Sequence, residues 1–318
     1  MTIYGTGDLR RAAAAAIRAP SLHNSQPWQF RLRDGAIEVL ADPSRQLTVA
    51  DRAGWAIRIA CGAATYNARL ALATNGTPAE VMLRPAGAEP NVMARLTPGR
   101  PRPGTYLEQD LYAAIPKRYS NRQPFWPDAV PPETRVRLIE AARAEAGWLA
   151  LLVGSTALSG FAEIAQSADR VLRRDRQYQG ELFSWVQADA APDGVPVTAG
   201  APRVEPGDLL PQRPYADRRR GPGRDFEPEP LVAVLGTAGD MPADHLAAGQ
   251  ALQRVLLTVA DAGLASSMFS QPIEVPAARD QLSRSLGRLG VPQMALRIGY
   301  GHPGRPTPRR DLADVLVD

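Results

Sequence analysis

Two short stretches carry residues able to do chemistry, and both are defined by spacing. The first runs Ala19-Pro20-Ser21-Leu22-His23-Asn24-Ser25-Gln26-Pro27-Trp28. Prolines at 20 and 27 hold the backbone extended, and between them lie hydroxyl, imidazole and amide groups able to hydrogen-bond a flat heteroaromatic ligand. The plain alternative is a helix-to-strand connection of ordinary loop composition. The second stretch is Arg118-Tyr119-Ser120-Asn121-Arg122. In an extended backbone Arg118, Ser120 and Arg122 share a face, and two guanidiniums flanking a hydroxyl suit a phosphate. The alternative here is a solvated basic loop. Arg309 and Arg310 stand in a proline-rich tail that is unsuited to a helix and must lie along a surface or a ligand.

Other chemistries lack an anchor. The three histidines, His23, His245 and His302, form no HxxxH or HExxH pair, and neither a GxSxG elbow nor a P-loop occurs. His245, just after a helix cap, reads as a surface residue. Gly299-Tyr300-Gly301-His302-Pro303-Gly304 matches GxGxxG in form, but Pro303 and Pro306 block the helix a dinucleotide site requires, so it reads as a turn. The single cysteine, Cys61, excludes an intrachain disulfide and reads as buried.

The elements that must position these residues follow from periodicity. An alanine-rich helix over Asp8 to Arg18 ends at Pro20, and alternating strands around Phe30 and Ile37 are joined by an Asp34-Gly35 hairpin turn. Asp51 can cap a long helix closing at Gly76. A Pro/Gly-rich run from Pro98 to Gly104 marks a boundary, dividing the chain into residues 1–104 and 105–318. Helices follow over Tyr106 to Ile115, Pro132 to Ala146 and onward from Ser155, with strands at Trp148 to Val153, Leu231 to Leu235 and Met294 to Tyr300. Between residues 189 and 230 the apolar period vanishes; a lid over a ligand and a floppy insertion are equally open readings. Gly62, Ala64, Leu70 and Gly76 match Gly249, Ala251, Leu257 and Gly263 in identity and spacing, a weak repeat that suggests two similar halves.

The chain has 318 residues, 44% of them hydrophobic, enough for a sizeable core in one large or two ordinary domains. No apolar run approaches the ~20 residues that span a bilayer, and no secretory signal pattern is visible, so a cytoplasmic protein without a membrane partner is expected. A net charge of +4 is spread along the chain and Lys117 is the only lysine, which argues against a nucleic-acid partner.

With these residues in place, the sequence resembles the nitroreductase superfamily of flavin proteins, in the fused two-half branch typified by the mycobacterial Acg proteins. The likeness covers nearly the whole chain and rests on the Pro20–Trp28 stretch, Arg118–Arg122, the Gly249 and Gly263 helix, Arg297-Ile298-Gly299-Tyr300-Gly301 and Pro308-Arg309-Arg310. It implies an α+β fold of two similar halves forming a pseudo-dimer, with mainly antiparallel sheets flanked by helices. It implies one FMN per chain between the halves. Pro20, Ser21, Leu22, His23, Asn24 and Gln26 would lie on the ring side, as would Ser270 and Gln271. Arg118, Tyr119, Ser120, Arg122, Arg309 and Arg310 would lie on the phosphate side. The implied reaction takes a hydride from NAD(P)H through the flavin to a nitroaromatic, quinone or similar small-molecule acceptor. No catalytic side chain and no metal is expected. The alternative is a protein that holds flavin with little turnover, and the chain would act as a monomeric pseudo-dimer or as a further homodimer.

Overall fold

The computed structural model describes residues 4–187, 191–223 and 225–318. Residues 189, 190 and 224 of the irregular excursion therefore lie outside the described residues.

In the first half, α1 (Thr6–Ala16) leads to β1 (Trp28–Arg33) through a loop that is not extended as expected but curls through a 3-10 turn, Leu22–Asn24; β2 (Ala36–Ala41), α2 (Trp55–Thr74), β3 (Ala79–Leu83) and β4 (Val92–Pro98) follow. The β1–β2 turn is the expected pair, Asp34 and Gly35, at φ 52° and 67°, a left-handed pairing that matches strand twist. After α3 (Tyr106–Ala114) the second half runs α4 (Pro132–Arg143), β5 (Trp148–Leu152), α5 (Ser155–Arg174), α6 (Arg176–Ser184), β6 (Val186–Gln187) and β7 (Val195–Pro196). It continues with β8 (Leu231–Thr237), α7 (Pro242–Asp261), β9 (Ala265–Phe269), α8 (Gln271–Glu274), α9 (Pro276–Ser285), β10 (Val291–Gly299) and β11 (Leu316–Val317).

The two main sheets have matching order. One runs β11-β1-β2-β4-β3 and the other β5-β8-β10-β9. Setting β1, β2, β3 and β4 against β5, β8, β9 and β10 superposes the connectivity, with α1 answering α4 and α2 answering α7. All these pairings are antiparallel, so the fold is α+β with two similar halves, as expected. The halves differ at one connection: a two-residue hairpin joins β1 to β2, whereas residues 153–230 intervene between β5 and β8. A second departure is β11, which pairs in parallel with β1, Phe30 opposite Leu316, and so returns the tail to the first sheet. The first core also takes Leu111, Ala114, Ile115, Leu246, Leu257 and Val315 from beyond residue 104.

The halves meet where α2 crosses α7, and the sequence repeat marks the crossing. A Cβ built on Gly62 would lie 2.2 Å from the Leu246 carbonyl oxygen; one on Gly249 would lie 2.1 Å from the Ile59 oxygen. Each glycine thus faces the carbonyl three residues before the other, a twofold arrangement that holds the backbones in contact. Nearby, buried Gln253 donates from Nε2 to Asn67 Oδ1 at 2.7 Å. Asp51 lies outside the helix proper, yet its carboxylate accepts from the Ala56 and Ile57 amides at 3.0 and 2.9 Å, satisfying the free N–H groups of α2.

Gly249→Ala should destabilise the protein by about 3 kcal/mol, at the upper end for over-packing, because a backbone carbonyl cannot move as a side-chain end can. Gly62→Ala added to it should cost less than its own single effect, since helices already separated admit both methyls. Gly160→Ala in α5, where nothing lies within 4 Å of the new Cβ, should instead stabilise by up to about 1 kcal/mol. Urea denaturation of the variants measures all of these.

Candidate functional site

The loop after α1 is shaped by three residues in left-handed conformation, His23, Asn24 and Gln26, at φ 53°, 55° and 50°. Each costs about 1 to 3 kcal/mol outside glycine, so the surroundings must hold them. Hydrogen bonds do so. The Gln26 amide N–H donates to Ser21 Oγ at 2.9 Å, and Gln26 Nε2 donates to the Pro192 carbonyl at 2.9 Å while its Oε1 accepts from the Arg310 amide. Asn24 Nδ2 donates to the Gly194 and Pro308 carbonyls, and its Oδ1 accepts from Arg309 at 2.8 Å. These amides tie the loop to the tail and to residues 192–194, and neither side chain is part of the cleft wall.

The neighbouring side chains do line a cleft. It encloses about 690 Å³ of atom-free space including its mouth, between Pro20 to His23 on one side and Ser267 to Gln271 on the other. The first turns of α2 supply Trp55, Ala56, Ile59 and Ala60, and α7 supplies Leu252. Arg122 is part of the wall, as are Gln212, Arg213 and Tyr215 from the excursion. Both halves therefore build the cleft, and the stretch of residues 209–215 packs over it.

Three buried polar atoms at the cleft have no hydrogen-bond partner among the described residues: His23 Nε2, Gln212 Nε2 and Gln271 Oε1. His23 uses its other ring nitrogen, Nδ1, with Tyr215 Oη at 2.7 Å. Burial, then the charges of Arg213 and Arg122, hold the His23 pKa well below its usual value of 6.5, so the ring is neutral. Arg122 lies over the Tyr215 ring, 4.9 Å from its centroid, and donates to the Ala199 carbonyl at 3.3 Å. Arg213 is paired with buried Glu274, bonds Tyr178 Oη, and donates to Ser270 Oγ at 2.8 Å.

Beneath the loop sit two cations of another kind. Arg118 donates to the Arg18 carbonyl at 3.2 Å, and Arg309 donates to the Ala19 and Arg18 carbonyls at 3.0 and 3.4 Å. The Nε of each has no partner among the described residues. Burial lowers Arg118 to about 10 with no acid to oppose it. Burial followed by the Arg118 and Arg18 charges lowers Arg309 to about 9. Arg297 and Arg213 are neutralised, by Glu227 at 2.7 Å and by Glu274, whereas Arg122 at the cleft, like Arg118 and Arg309, has no carboxylate partner among the described residues. Two desolvated guanidiniums that share a carbonyl and lack a carboxylate are what an anion site requires.

The remaining expected residues divide. Ser120 forms a parallel bridge to Ser266 at the start of the Ser267 to Gln271 wall, and Arg310 leaves Nη1 buried and unpartnered beside Gln26. Tyr119 packs against Gly304, where a Cβ would meet its ring at 3.2 Å, and is not part of the cleft wall. Gly299 and Gly301 likewise serve close packing, on Phe125, which explains the GxGxxG spacing without a nucleotide. His245 is also corrected. It is 5% exposed and bonds Asp240 at 2.9 Å, because the first turn of α7 folds under Arg58 and Arg279. Gln212, Arg213, Tyr215 and Trp55 escaped the sequence reading; the only trace was the length of the excursion. Among the described residues no cluster could hold a metal and no helix is long and apolar enough to cross a membrane.

No protein-family model matches the chain. A Mycobacterium tuberculosis H37Rv protein named "Putative NAD(P)H nitroreductase" is 33% identical over 325 residues, covering 97% of this chain and 90% of the relative. The acg protein of the same strain, named in the same way, is 30% identical over 330 residues, 99% of this chain and 97% of the relative. Among solved structures, a nitroreductase with bound FMN from Desulfitobacterium hafniense aligns with a TM-score of 0.43 at 15% identity, over 66% of this chain and 98% of that one.

The depressed His23 pKa sets a pH dependence. Between the folded value and 6.5 the unfolded chain binds a proton that the folded chain does not, so stability is lost as pH falls below 6.5. Asp51, raised to about 6 by burial, acts in the opposite sense between 6 and its usual 3.8. The comparison that isolates His23 is therefore wild type against His23→Asn, which tolerates the left-handed φ. The variant should lose less melting temperature than wild type between pH 7 and pH 5 in calorimetry.

Proposed function

The chain belongs to the nitroreductase superfamily, with full-length relatives of the acg kind, and from that premise we propose that it is an FMN-dependent NAD(P)H oxidoreductase. The observation that carries the reading is the pair of buried, unneutralised guanidiniums, Arg118 and Arg309, under the loop that walls the cleft.

The residues fit the group. A phosphate at Arg118 and Arg309 would relieve the cost of two desolvated cations, with Ser120 and Arg310 beside them. The apolar wall of Leu22, Trp55, Ile59 and Met268 suits a flat ring, and Gln271, Gln212 and His23 have unfilled hydrogen-bonding positions for its edge. FMN, when bound, supplies two-electron hydride chemistry, so this chain's own residues need only bind, orient and exclude water. The acceptor belongs to the nitroaromatic or quinone class. Residues 209–215 act as a lid over that site, since Arg213 and Tyr215 are fastened at the cleft by Glu274 and His23.

That same lid favours a second reading, a protein that holds flavin and turns over slowly, because Gln212, Arg213 and Tyr215 already stand in the cleft wall. Both readings expect yellow protein with one FMN per chain. Anaerobic stopped-flow mixing with NADH or NADPH separates them: prompt bleaching of the flavin band supports the reductase, and a persistent band leaves the holding function. Arg118→Ala should weaken FMN binding by roughly 10- to 150-fold, the worth of one charge-assisted bond of about 1.5 to 3 kcal/mol, read by fluorescence titration. Wild-type affinity in Arg118→Ala together with Arg309→Ala would place the phosphate elsewhere.

A further inference from the structure

We infer that the chain has a second ligand site, a pocket between α2, α3 and α7 that takes a small organic carboxylate, one negative charge on an apolar body. The pocket shares no lining residue with the cleft, so it stands whether or not flavin fills the cleft. The cleft is walled by the first turns of α2, before the crossing at Gly62, whereas Tyr66, Arg69, Leu70 and Ala73 beyond that crossing wall the pocket. It encloses about 680 Å³ of atom-free space including its mouth.

Its polar end is built around a buried carboxylate. Glu145, in the turn between α4 and β5, accepts from Arg254 Nη1 at 2.9 Å through Oε1 and from Arg69 Nη1 at 2.6 Å through Oε2. Arg69 Nη1 also donates to Gln250 Oε1 at 2.7 Å. Glu108 is occupied in the same way: Arg102 donates to its two oxygens at 2.6 and 2.7 Å, and the Thr105 amide and hydroxyl donate to Oε2. Every carboxylate oxygen lining the pocket is thus already bonded. The donors are not used up. Among the described residues Arg69 and Arg254 bond through Nη1 alone, and Tyr66 Oη, on a residue 3% exposed, has no hydrogen-bond partner. Burial, opposed by Arg254 and Arg69, raises the Tyr66 pKa above its usual 10, so the phenol is neutral and its O–H is a donor without an acceptor.

Charge and wall then select the ligand. Three guanidiniums, of Arg69, Arg102 and Arg254, stand against the two carboxylates, leaving one positive charge over. Leu70, Ala73, Pro78, Ala79, Leu107 and Leu111 complete the lining. A carboxylate can accept from Tyr66 and a guanidinium together, cancel the surplus charge and lay a short carbon chain on the leucines. Inorganic phosphate lacks that apolar body, and a neutral alcohol leaves the charge in place.

Isothermal titration of the full-length protein with hexanoate tests this. Saturable binding of one hexanoate per chain is expected, with inorganic phosphate and hexan-1-ol weaker by about tenfold or more. Tyr66→Phe should bind hexanoate about tenfold more weakly, the worth of one hydrogen bond to a charged group. The variant removes a hydroxyl that has no partner in the protein, so it should melt no lower than the wild type, which separates a lost ligand contact from a damaged fold. A purely structural Arg69–Glu145–Arg254 network would leave hexanoate binding unmoved by this substitution. Equal hexanoate affinity in Tyr66→Phe and wild type therefore overturns the inference, as does a lack of saturable hexanoate binding or a tighter binding of phosphate.

Discussion

Everything in this molecule depends on two α-carbons without side chains. Gly62 and Gly249 let α2 and α7 cross with backbone against backbone, and that contact joins the two halves. The cleft lies at the rim of this crossing, with Ile59 and Ala60 on one helix and Leu252 on the other. A methyl at either glycine therefore acts on the width of the cleft as well as on the core. Tight crossings of this sort are rigid because the contact is made by main chain, which has no rotamers to rearrange.

Near-twofold symmetry would give two equivalent clefts, and the connections explain why the halves are unequal. The first half leaves α1 through the long strained loop that carries Ser21 and His23. The second leaves α4 for β5 through a tight turn at Gly147, where a Cβ would already lie 2.9 Å from that of Ala251. No comparable loop is offered to the opposite side. The large insertion between β5 and β8 then supplies the first cleft with Gln212, Arg213 and Tyr215. One half gave up the loop and acquired the cover, so the two copies of the fold have become complementary parts.

What the sequence disclosed was local. The Asp34-Gly35 hairpin, the capping carboxylate of Asp51 and the matched glycines are each written within a few neighbouring residues, where periodicity and turn chemistry operate. Arg118, Arg122 and the loop from Pro20 to His23 were recognisable by residue type and spacing. The failures were long-range. His23 meets Tyr215 across 192 positions through a segment without period, and β11 is two residues long, too short to alternate. Nor does residue type tell what Asn24 and Gln26 bond, because an amide bonded to backbone looks the same in a sequence as an amide bonded to a heterocycle. His245 was misjudged because a helix's first turn is commonly wet, and only the packing of Arg58 and Arg279 closes it.

The parallel pairing of β11 with β1 has a consequence for how the protein is made. Leu316 is synthesised long after Phe30, so the edge of β1 stays open until β11 arrives. The tail that closes it also carries Arg309, whose side chain completes the cationic floor under the Pro20 loop. Closing the sheet edge and seating Arg309 under the Pro20 loop are therefore one event.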